Sequence, residues 1–64
     1  MKNNILQLRK AMHLSQEDLA AKTGVSRQTI NSIETGKFDP SLPLVFKLLK
    51  TLDVSLEELF FFEE

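Results

Sequence analysis

"QEDLAAKTGVSRQTINSIETG", residues 16–36, holds two short helical patterns with only a tight connection between them. Ser15 and Asp18 have the S-x-x-D spacing of a capping box, in which the hydroxyl accepts a backbone N–H and the acid returns the bond. Leu19 and Ala20 supply the apolar side of that first helix. Gly24 suits a left-handed C-terminal cap, and Ser26 can cap a second helix from about Arg27 to Thr35 that Gly36 closes. In the second helix only Ile30 and Ile33 are apolar. At roughly 100° per residue they fix its inward direction, so Gln28, Asn31, Ser32 and Thr35 project away, with Arg27 and Glu34 on the flank. A merely solvated helix face tends to fill with lysine, glutamate and alanine. This one carries short, mostly neutral hydrogen-bonding groups of the kinds that grip base edges: arginine on guanine, glutamine and asparagine on adenine, serine on either.

A polar face is weak evidence on its own, and the spacing strengthens it. Counting Gln16 as the first position, Leu19, Ala20, Gly24, Val25, Ile30 and Ile33 occupy the places a helix-turn-helix requires, with small Ala20 at the helix crossing and Gly24 in the turn.

Working outward, Ile5, Leu8 and Met12 predict one face of an N-terminal helix ahead of His13 and Leu14. His13 reads as a solvated residue favoured by the dipole at that helix's C-terminus. After the "FDPS" loop, Ser41 caps a fourth helix with Pro43 in its first turn. Leu44, Val45, Leu48, Leu49 and Leu52 form its broad apolar face, while Lys47 and Lys50 lie on its polar side as solubilising charges. Ser55 and Glu58 form a second capping box for a short fifth helix ending near Leu59. Phe38 and Val54 read as core residues. The chain is expected to form one domain over 1–64, with the helix-turn-helix at about 16–35 and a tail at 60–64.

Composition narrows the function. The 64 residues are 42% apolar, with no cysteine and one histidine. A chain this short buries only ~60% of the surface its unfolded form exposes, which leaves little room for a catalytic cleft beside a core. Neither a disulfide framework nor a zinc site can be assembled within it. His13, Ser15 and Glu17 are splayed apart by helical geometry, so no catalytic residues are assigned, and neither a cofactor nor a metal is implied. The apolar run at Ile5, Leu6 and Leu8 is too short for a signal peptide or membrane span, which predicts a cytoplasmic protein. The net charge is −1, but up to Lys50 eight bases face four acids, a balance of +4, and five acids follow. One small domain can thus carry a basic face and an acidic end.

The sequence resembles the lambda-repressor-like helix-turn-helix family, the Cro and Xre group of bacterial and phage transcriptional regulators. The resemblance runs through "LR" (Leu8, Arg9), "LSQEDLA" (Leu14 to Ala20), "GVSRQTI" (Gly24 to Ile30), "IETGK" (Ile33 to Lys37), "PSL" (Pro40 to Leu42) and "LDVSLEELF" (Leu52 to Phe60). It implies an all-α, compact five-helix DNA-binding domain whose third helix enters the major groove. Arg27, Gln28, Asn31 and Ser32 match the family's base-reading positions. Gln16 matches its phosphate-contacting glutamine, and Thr29, Thr35 and Lys37 fall near backbone contacts. Arg9 and Glu34 match a structural ion pair between the first and third helices. His13 and Asp53 stand where glycine or another small residue is frequent, which leaves the local turn geometry open there but not the fold.

"LFFFEE" places three phenylalanines in a row, and successive residues of an extended segment cannot share one face, so the three cannot all point the same way. Some short Xre-like regulators pair an N-terminal strand with a C-terminal one and dimerise there. Met1 to Asn3 pairing with Phe60 to Phe62 is the corresponding expectation, with Leu59, Phe60, Phe61 and Phe62 at a homodimer interface; the alternative is a tail folded over its own monomer. The functional expectation is a dimeric, sequence-specific repressor bound to a double-stranded DNA operator at the nucleoid and acting by occlusion. A protein-interaction module, such as one that neutralises a toxin through the Phe-rich end, is the competing class.

Overall fold

A computed structural model describes residues 1–61. Five helices and a two-stranded sheet follow in the order β1 (Lys2–Asn3), α1 (Ile5–Ala11), α2 (Gln16–Thr23), α3 (Arg27–Glu34), α4 (Leu42–Leu52), α5 (Leu56–Leu59) and β2 (Phe60–Phe61). The expected fold class is borne out.

Serines start four of these elements' turns as the sequence indicates. The Ser15 hydroxyl accepts the Asp18 N–H at 2.9 Å and the Asp18 carboxylate accepts the Ser15 N–H at 3.0 Å. Ser55 and Glu58 repeat the arrangement, and Ser26 and Ser41 cap α3 and α4. Pro43 falls in the first turn of α4, where its missing N–H costs no helical bond. Gly24 ends α2 at φ +75°, and a Cβ there would meet nothing nearer than Lys47 Nζ at 4.0 Å. The left-handed backbone, not lack of space, is what calls for glycine. His13 and Asp53 adopt the same region at φ +58° and +56°. Both turns therefore keep a glycine-like geometry with a side chain present.

The core gathers Ile5 from α1, Leu19 and Ala20 from α2, Ile30 and Ile33 from α3, Leu44, Leu48 and Leu52 from α4, and Leu59 and Phe60. Leu8, Leu14, Val25, Val45, Leu49 and Val54 pack around it. Two expectations need correction. Met12 is 45% exposed: α1 ends at Ala11, and Met12, its C-cap, lines a surface hollow with Lys22, Lys47, Lys50 and Thr51. Phe38 is 52% exposed. The N–H groups of Lys37 and Phe38 both donate to the Ser32 carbonyl, which folds this loop back along α3 rather than into a core already filled by Ile30, Ile33 and Leu44.

β1 and β2 pair antiparallel within the chain, with Lys2 opposite Phe61 and Asn3 opposite Phe60. Asn3 binds the pair to the helices: its side-chain amide donates to Ile33 O at 2.8 Å and its carbonyl oxygen accepts the Ile5 N–H at 3.1 Å. The Asn4 N–H donates to Leu59 O at 2.8 Å.

Candidate nucleic-acid interface

α2 and α3 form the helix-turn-helix, with Gly24 in its turn and Leu19, Ala20, Ile30 and Ile33 buried beneath it. That burial fixes which way α3 faces. Arg27, Gln28 and Asn31 are exposed on the outward side, Ser32 is half-buried beside them, and Thr35 is exposed at the C-cap. Among the described residues the Gln28 amide has no hydrogen-bond partner, which leaves both its donor and its acceptor available.

Arg27 and Asn31 on this face are linked from below. Arg9 is buried, and its Nε donates to Glu34 Oε2 at 2.8 Å while Nη2 donates to Oε1 at 3.2 Å. The third arm of the guanidinium, Nη1, donates to Leu14 O at 2.9 Å, tying α1 to the loop before α2. This bidentate contact has the geometry that makes arginine–carboxylate pairs strong. Glu34 Oε1 also accepts from Gln16 Nε2 at 3.1 Å, and the same nitrogen donates to Asn31 Oδ1 at 3.1 Å. Arg27 Nη1 lies 3.5 Å from Gln16 Oε1. A chain of contacts thus runs from a buried arginine to three groups at the protein surface, restricting their rotamers before any ligand arrives.

Backbone donors are available at the same place. With Ser15 accepting the Asp18 N–H and Ser26 accepting the Thr29 N–H, the N–H groups of Gln16 and Glu17 and of Arg27 and Gln28 open the first turns of α2 and α3. Such N-termini carry partial positive charge and suit phosphate. The Thr29 hydroxyl lies 2.9 Å from Ser26 Oγ, and the Thr35 hydroxyl donates back to Asn31 O at 3.0 Å. Lys37 is exposed just past Gly36. Lys47 and Lys50, by contrast, share a different hollow with Lys22, Met12 and Thr51. Two features escaped the sequence reading. The Gln16 to Asn31 link depends on how α2 crosses α3, which spacing alone does not give. Exposed Phe38 was signalled only by its setting, a lone aromatic before Asp39-Pro40 with no helical periodicity around it.

The helix-turn-helix family HTH_3 matches residues 5–59, nearly the whole described chain. The chain belongs to this family. Members of HTH_3 are transcriptional regulators with a DNA-binding fold rather than enzymes. An HTH-type transcriptional regulator of Methanocaldococcus jannaschii, MJ0272, is 53% identical over 64 residues, covering 100% of this chain and 97% of its own length. The restriction-modification controller protein C.AhdI from Aeromonas hydrophila is 39% identical, with a TM-score of 0.79 over 88% of this chain and 85% of its own. SinR of Bacillus subtilis, a biofilm master regulator solved in complex with DNA, is 37% identical, with a TM-score of 0.74 over 83% of this chain and 86% of its own. HTH_3 relatives thus occur in archaea as well as bacteria, so a bacterial source does not follow from the resemblance. None of the helices among the described residues is long and apolar enough to cross a membrane.

Proposed function

We propose that this protein is a sequence-specific double-stranded DNA-binding repressor that acts as a homodimer in the cytoplasm, at the nucleoid, and reads the major groove with α3. The outward face of α3 carries this reading, because a Gln28 amide without an internal partner stands among Arg27, Asn31 and Ser32 on a helix rigidly seated by Ile30 and Ile33. In this reading Arg27, Gln28, Asn31 and Ser32 contact bases, whereas Gln16, Thr29, Thr35 and Lys37 contact phosphates. Backbone contacts set register and base contacts set sequence. Two copies related by a twofold axis would engage half-sites about one helical turn apart, and repression would follow from occlusion of a promoter.

Selection from a randomised duplex library at moderate salt tests this. Inverted half-sites about one turn apart should be enriched by the wild type. Gln28→Ala should bind the enriched duplex more weakly by about 1–3 kcal/mol and lose preference at one base pair per half-site. Lys37→Ala should weaken all duplexes similarly and lower the salt slope by about 1. Unchanged affinity and preference in Gln28→Ala would remove the base-reading assignment, and a folded wild type that enriches nothing would remove the DNA-reading function.

A further inference from the structure

Phe38 is a large apolar side chain set in polar surroundings. It is 52% exposed and lines a shallow hollow with Ser26, Gln28, Thr29 and Ser32. Its position relative to α3 is fixed, since Ser32 O accepts the Lys37 N–H at 3.0 Å and the Phe38 N–H at 3.2 Å. The ring therefore stands at the rim of the face that presents Gln28 and Ser32. A major groove displays donors, acceptors and a single apolar group, the 5-methyl of thymine. Gln28 and Phe38 line the same hollow, so a base pair engaged by Gln28 would place its neighbour's edge beside the ring, which can dehydrate a methyl but can satisfy none of the groove's polar groups.

We propose that Phe38 is a specificity-determining residue that reads the 5-methyl group of a thymine adjoining the base pair engaged by Gln28. This rests on the DNA-reading function above and adds a contact from outside α3. Discrimination comes from burial alone, so the site should prefer thymine over deoxyuridine, which differs only by that methyl. The loss expected is about fourfold in affinity, the factor that corresponds to one buried methyl.

The test uses the duplex enriched by the wild-type protein, resynthesised with deoxyuridine at each thymine in turn, and measures affinity for wild type, Phe38→Ala and Phe38→Leu at one salt concentration. At one thymine in each half-site the wild type should lose about fourfold, Phe38→Ala should show no loss, and Phe38→Leu should keep part of it. Melting curves matching wild type, as expected at so exposed a position, tie the effect to the contact rather than to folding. The inference fails if every deoxyuridine penalty is the same in wild type and Phe38→Ala, or if the half-site lacks thymine. It fails too if Phe38→Ala weakens binding with no methyl-sensitive position, which would assign the ring to the sugar–phosphate backbone. In each of these cases an enriched duplex leaves the DNA-reading function standing. Absence of any enriched duplex removes both.

Discussion

Glu34 serves two neighbours at once. Its carboxylate neutralises the buried Arg9 guanidinium and also holds Gln16, which in turn touches Asn31 and lies near Arg27. The side chains of Arg9 and Glu34 are 9% and 6% exposed, so removing one partner strands the other's charge in a poorly solvated place. Glu34→Ala should therefore destabilise the fold by about 3–5 kcal/mol, read from urea unfolding. That is comparable with the whole stability expected of a chain this size, roughly 3–10 kcal/mol. An effect below about 1 kcal/mol would mean that the pair is solvated like an ordinary surface bridge. Arg9→Ala should be similarly costly, because it also deprives the Leu14 carbonyl of its donor.

At the scale of the helices, the caps make stability depend on acid. The Ser15 N–H and then its hydroxyl hold the Asp18 carboxyl below the usual aspartate range, with a smaller contribution from Lys22. The Ser55 N–H and hydroxyl do the same for Glu58. The unfolded chain takes up these protons more readily than the folded one. The stabilisation is thus complete above the ordinary carboxylate values and is lost as pH falls through the depressed folded values. Melting temperature should decline through that acid window, and less steeply in Asp18→Asn and Glu58→Gln; identical slopes would show that the boxes are not populated in solution. These caps were legible in the sequence because they are local, set by residues three apart. The starts of α2 to α5, the ends of α2, α3 and α5 to within a residue, and the inward direction of α3 followed from the same short-range rules. The end of α1 and the place of Phe38 did not, since a helix can stop before its apolar pattern does and a loop's path is decided by the element it folds onto. At the site, residue types on α3 were readable, whereas the Gln16 to Asn31 link needed the crossing of α2 on α3.

Across the whole molecule, the first and last described segments close on each other. Alternation along β2 sends Phe60 inward, 8% exposed, and Phe61 outward, 40% exposed. Leu59 is fully buried. Of the residues expected at a homodimer interface, Leu59 and Phe60 are thus used by this chain's own core, Phe61 is free to meet a partner, and Phe62 lies outside the described residues. Cutting the tail after Leu59 would remove a core residue along with any interface, so a substitution at Phe61 is the cleaner probe. Phe61→Lys keeps Phe60 and the backbone pairing with Lys2 while placing a charge on the outer face, where burial against a second copy would be unfavourable. In sedimentation velocity the wild type should run as a dimer and Phe61→Lys as a folded monomer. DNA affinity should then fall too, because a monomer engages one half-site and loses the gain in effective concentration from the second. A variant that stays dimeric would exclude the β2 face and move the interface elsewhere, with the exposed Leu42 and Phe46 of α4 the next apolar pair to change.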